Sequence, residues 1–143
     1  MDATYLHYAL LAMGAYALVS PLMRVATTGP DAIPSNVAVV ISNTLLIVMA
    51  LGVLWYTDQG IVTYLSSRKL AYVLAAGVFL GIGIISLYQS LSLGPVSVVT
   101  PIFAMFLVFS SAIGVLVLGE EFTTRKVLGV FFAMLAVYFI SGA

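Results

Sequence analysis

The sequence predicts an all-α membrane protein of five transmembrane helices, and three observations carry that prediction. Apolar stretches cover residues 5–23, 36–56, 70–88, 98–118 and 127–140, each close to the ~20 residues an α-helix needs to cross the hydrocarbon of a bilayer. Hydrophobic residues make up 63% of the chain and charged residues 7%, with a mean hydropathy of +1.21, more apolar surface than a water-soluble core of this length could hide. Every charged residue but one lies between the stretches or at their ends, where water and headgroups can solvate it. The predicted fold is therefore one transmembrane domain over residues 1–143, with links too short to hold a soluble domain.

The first stretch carries Asp2 in place of a basic start, and four further stretches follow it, so it reads as a retained span rather than a cleaved leader. Within it Tyr16, Ser20 and Arg24 fall at four-residue spacing on one helical face. Pro21 beside them removes a backbone hydrogen bond and opens a carbonyl. A polar stripe beside a helix break can line a cavity. Alternatively Ser20 bonds its own backbone and Arg24 snorkels to the headgroups. The link over residues 24–35 holds Thr28-Gly29-Pro30-Asp31 and Pro34, turn residues that place the second helix start near Pro34.

The second stretch sets Asn36 and Asn43 seven residues apart on one face, with Ser42 and Thr44 flanking the deeper amide. Asn43 is either a helix-packing clamp or a substrate contact. The link over residues 57–69 contains Ile61, Val62, Tyr64 and Leu65, which suit a segment lying at the membrane interface before Ser66 or Ser67 caps the third helix. In the third stretch Gly77 and Gly81 form a small-xxx-small pattern that allows close helix approach, and Ser86 and Gln89 share another face.

The fourth stretch is entered through Gly94-Pro95 and carries Pro101 inside the helix, which frees the carbonyl of Ser97 and puts Thr100 beside the break. Such breaks occur where backbone meets a water-filled cavity, and also as kinks satisfied by a neighbouring helix. Residues 119–123 turn the chain, with Thr123 or Thr124 as N-cap. The fifth stretch offers Gly129, Ala133 and Ala136 as a small-residue face for packing.

The charges set orientation and exclude several functions. Arg68, Lys69, Arg125 and Lys126 fall on the N-terminal side and only Arg24 on the other, which favours a cytoplasmic N-terminus in the inner or plasma membrane. Tyr5, Tyr8, Trp55, Tyr56, Tyr64 and Tyr72 belong to the same interface, where amphipathic rings rest. The five basic residues form no patch with interleaved aromatics, so no nucleic-acid partner is expected. With no cysteine and His7 as the single histidine, neither a metal site nor a Ser/His/Asp triad can be assembled, and no cofactor and no enzymatic activity are expected. No carboxylate lies deep in a span, which disfavours a proton-coupled exporter of cationic drugs.

Residues 81–88, the run Leu93-Gly94-Pro95-Val96-Ser97-Val98-Val99-Thr100-Pro101-Ile102-Phe103, the Leu118-Gly119-Glu120 ending and residues 129–138 together resemble the EamA-like repeat of the drug/metabolite transporter superfamily. Gly129 follows Glu120 by the nine residues of that pattern. The likeness is looser in the first span, where Met13-Gly14 stands for an aromatic before glycine and Arg24 for a basic residue. The resemblance implies one five-helix half of an inverted-repeat transporter that usually holds two, hence a homodimer or a pairing with a second five-helix chain of opposite topology. It implies a transporter moving a polar metabolite or other small solute through a cavity shared by two protomers, with Tyr16, Ser20, Arg24, Asn43, Gln89 and Thr100 as candidate substrate-binding residues. Glu120 is expected to pair with Arg125 or Lys126. The alternative is a non-transporting membrane subunit that packs against a larger complex through Gly77, Gly81 and the last small-residue face.

Overall fold

A computed structural model describes residues 4–121 and 123–141, apart from the side chains of Lys126 and Ser141. Among these residues the chain is helical and without strand: α1 Thr4–Ala26, α2 Ser35–Tyr56, α3 Leu70–Leu93, α4 Val96–Ala104, α5 Phe106–Leu116 and α6 Thr124–Ser141. The helices α1, α2 and α3, and α4 and α5 taken together over Val96–Leu116, are long and apolar enough to cross a membrane. The apolar part of α6, Val127–Ile140, is shorter than expected of a full span, although at ~1.5 Å per residue the whole helix reaches about 27 Å.

Proline starts two of the helices, as the sequence suggested. Pro34 (φ −53°, ψ 136°) sits at the N-cap of α2, and its carbonyl accepts from the Val37 and Ala38 N–H groups at 2.9 and 3.0 Å. Pro95 (φ −70°, ψ 143°) does the same for α4, accepting from Val98 and Val99 at 3.1 and 3.0 Å. Proline loses nothing at these positions, because the first helical N–H groups have no intrahelical acceptor. Between α2 and α3 a single 3-10 turn, Val62–Tyr64, leads to Ser67, whose Oγ accepts from the Lys69 N–H at 3.2 Å.

The two internal prolines behave differently from each other and from expectation. Pro21 lies inside α1 without interrupting it. The fourth span is interrupted, but at Met105 rather than at Pro101: the Met105 N–H bonds back to the Ile102 carbonyl at 3.1 Å in a 3-10-like turn, and α5 starts one residue later. Further on, the Leu118 N–H reaches Ile113 O at 3.3 Å and the Glu120 N–H reaches Gly114 O at 3.1 Å, while Gly119 adopts φ +71°, a left-handed conformation that glycine takes without Cβ strain.

The chain divides into two compact units, one ending at Leu93 and the other beginning at Gly94. In the first, α3 packs against both α1 and α2. In the second, α6 packs against α4 and α5.

Candidate functional site

Two side-chain hydrogen bonds of the first unit converge on the last turns of α3. Arg24, in the last turn of α1, donates from Nη1 to the carbonyl oxygen of Leu91 at 2.6 Å, which ties α1 to α3 through a charge-assisted bond. Ser42 on α2 bonds the Tyr88 hydroxyl at 3.3 Å and its own Val39 carbonyl at 3.2 Å. Leu87, Tyr88 and Leu91 are buried here, together with Ser20 and Thr27 from α1 and its following turn and Ala38 from the first turns of α2. Thr27 and Thr28 return their hydroxyls to Met23 O and Arg24 O at 2.8 and 2.6 Å, satisfying carbonyls that the end of α1 leaves open.

The expected stripe on α1 is thereby divided. Tyr16 is exposed, Ser20 is buried, and the guanidinium of Arg24 reaches across to α3 instead of extending to a headgroup. Gln89 is exposed between the buried Tyr88 and Leu91, on a different face of α3. Asn43 lines a separate groove of about 370 Å³ between α2 and α3, with Thr44 on its own wall and Gly77, Leu80 and Gly81 opposite. The absent side chains of the two glycines make room for this groove. Asn43 Nδ2 donates to Val39 O at 2.8 Å, which leaves its second N–H and its amide oxygen without a partner in that bond.

In the second unit Thr100 stands apart from the other hydroxyls. Thr27, Thr28, Thr44, Thr57, Ser86 and Ser110 each donate to the carbonyl four residues earlier, the usual way a helix satisfies such a group in hydrocarbon. Thr100 Oγ1 is buried with no hydrogen-bond partner among the described residues, one position before Pro101. A second crevice, about 660 Å³, lies between α5 and α6 and is apolar apart from Ser111 and Glu120.

Three contacts have no signature in the residue pattern. The acceptor for Arg24 is a backbone carbonyl, and Tyr88, the partner of Ser42, is unremarkable in its own span. The third concerns Gly114, which is buried beneath the carboxylate of Glu120: a methyl group at 114 would meet its Cδ and Oε1 at 3.2 Å and its Oε2 at 3.3 Å. The Gly-Glu pair closing the fourth span thus folds its carboxylate back onto an earlier glycine. Of the two cations expected to pair with Glu120, the side chain of Lys126 lies outside the described residues.

Apolar helices of membrane length define an integral membrane protein. Residues 4–142 match the EamA-like transporter family, and the chain belongs to that family. No curated protein and no solved structure matches it. Membership indicates a membrane transporter of small solutes rather than an enzyme.

Proposed function

We propose that the chain moves a polar metabolite or other small solute through a cavity formed by two protomers, either two copies or one copy and a second five-helix chain. The observation that carries this reading is the Thr100 hydroxyl, buried beside Pro101 without a partner. An unpartnered hydroxyl in an apolar setting costs about 1–3 kcal/mol, so the position makes sense where a solute or its water visits it. Pro101 also denies the Ser97 carbonyl its intrahelical donor, placing an acceptor one turn from the Thr100 donor. In this reading Asn43, in the groove of the first unit, is a further candidate for solute recognition, and Tyr16, Ser20 and Gln89 remain candidates on the same unit. The excess of basic residues on the N-terminal side supports a cytoplasmic N-terminus.

The competing reading, a non-transporting subunit, draws on the same groove, since Gly77 and Gly81 would also admit a helix of a larger complex. Flux through reconstituted vesicles separates the two. With labelled amino acids, sugars and nucleosides as probes, at least one solute should cross faster than in empty vesicles, and Thr100→Val and Asn43→Leu should each slow it roughly tenfold or more, the loss of one buried polar contact. Absence of flux for every probe, with the protein recovered in a larger membrane complex, would establish the subunit.

A further inference from the structure

We infer that the Arg24–Leu91 bond is a closing latch: it holds the Leu91 end of the first unit shut and breaks when that end opens during transport, an inference that rests on the transport reading above. Burial in this unit is confined to one end. Ser20, Thr27, Ala38, Leu87, Tyr88 and Leu91 are buried, whereas no residue of 4–18, 45–56 or 70–86 is. The end that is packed is also the end that is bonded, because both polar side-chain links between helices of this unit among the described residues, Arg24 to Leu91 and Ser42 to Tyr88, lie there. A carrier that alternates its access must undo such an end in half of its cycle.

The electrostatics suit a latch. Arg24 stands in the last turn of α1 and donates to a carbonyl in the last turn of α3. Each helix C-terminus carries a partial charge of roughly −0.5, so the guanidinium is attracted to both of the ends it joins. What the charge does is allow two like-signed helix ends to lie together, and its removal leaves them repelling one another. The bond is intrinsically reversible, since it links a mobile side chain to a neutral acceptor that water can replace once the end is wet. Arg24 is in this sense a positioning residue, acting on the helices and through them on the rate of exchange.

The chain has no native cysteine, so spin labels can be placed at Val25→Cys and Leu93→Cys, exposed positions beside the latch on α1 and α3. In bilayers without solute the distance distribution should be dominated by one short population. Arg24→Met, which keeps the stem and removes every donor, should lower the short-to-long ratio roughly ten- to a hundredfold, as loss of a charge-assisted bond predicts. Arg24→Lys should restore part of it, and serves alone if the Met variant does not fold. In flux assays Arg24→Met should change the maximal rate and leave KM within about twofold, whereas Arg24→Lys should recover the rate. Identical distance distributions in all three proteins would overturn the latch, as would a raised KM at unchanged maximal rate, which would make Arg24 a solute contact. A shifted distribution in a protein that carries no solute would sink the transport reading while leaving the closure of this end in place; flux with unshifted distances would sink the latch alone.

Discussion

The two ends of the first unit are made from the same three helices and differ in almost everything else. At one end Leu91 is fully buried, at 0% exposure, and Tyr88 is at 4%; at the other Trp55 and Tyr56 are each 87% exposed and Tyr72 79%. Hydropathy does not distinguish them, because Leu, Val and Ile run the length of all three helices. The difference lies in the few polar groups: Arg24, Ser42 and Tyr88 give the Leu91 end directional bonds, while the Trp55 end has exposed rings suited to the lipid interface. In a bilayer the apolar surface of a helix gains little by meeting another helix rather than an acyl chain, so packing contacts and hydrogen bonds decide which ends associate.

That contrast can be broken most forcefully by removing a buried side chain. Leu91→Ala should destabilise the protein by about 2–5 kcal/mol, whereas Leu74→Ala, at a position 61% exposed near the other end of the same helix, should stay within about 0.5 kcal/mol. Thermal unfolding in one detergent compares them directly. Equal losses would mean that burial in the isolated chain does not describe where α3 is held.

The second unit gives the same lesson in a smaller space. Gly114 lies close beneath the Glu120 carboxylate, which must give by a few tenths of an ångström to admit a methyl group. Glu120 is exposed and alanine gains roughly 0.5–1 kcal/mol over glycine inside a helix, so Gly114→Ala should change stability by less than about 1 kcal/mol. Glu120→Ala, alone and combined with Gly114→Ala, completes a cycle in which the added methyl group should be better tolerated once the acid is short. No coupling in that cycle would mean that something other than the carboxylate limits position 114.

How much of this the sequence disclosed depends on whether a side chain or the backbone supplies the partner. The helices were legible from apolar runs, and Pro34 and Pro95 marked their starts because proline is favoured where an N–H is dispensable. The end of α3 was not: Gln89, Ser90 and Ser92 end the apolar run, yet the helix continues to Leu93, since polarity does not stop a helix as a breaker does. Pro101 pointed to a broken span, but the break falls at Met105, because removing one hydrogen bond weakens a helix without fixing where it yields. The family resemblance rested on residues 81–88, on the Leu93–Phe103 run that holds Thr100, on Gly119 and Glu120, and on residues 129–138. Asn43 and Thr100 were visible as polar residues in hydrocarbon, while the carbonyl that receives Arg24 could not be, as every residue carries one.

The smallest expected effect tests whether the Ser42–Tyr88 bond contributes to the packed end or merely accompanies it. Tyr88→Phe keeps the buried ring and removes only the hydroxyl, and Ser42→Ala removes the other partner. Each single change should cost about 1 kcal/mol or less, because Ser42 also has Val39 O as an acceptor. Their double-mutant cycle should leave a coupling of about 0.6 kcal/mol, the size found for hydrogen bonds between membrane helices, whose unfolded reference state finds partners of its own. The matched pair Tyr72→Phe and Thr44→Ala, on the same two helices and more exposed, should show no coupling. A cycle of equal size there would mean that the hydroxyls act through general helix stability, and that burial together with the Arg24 bond holds the Leu91 end.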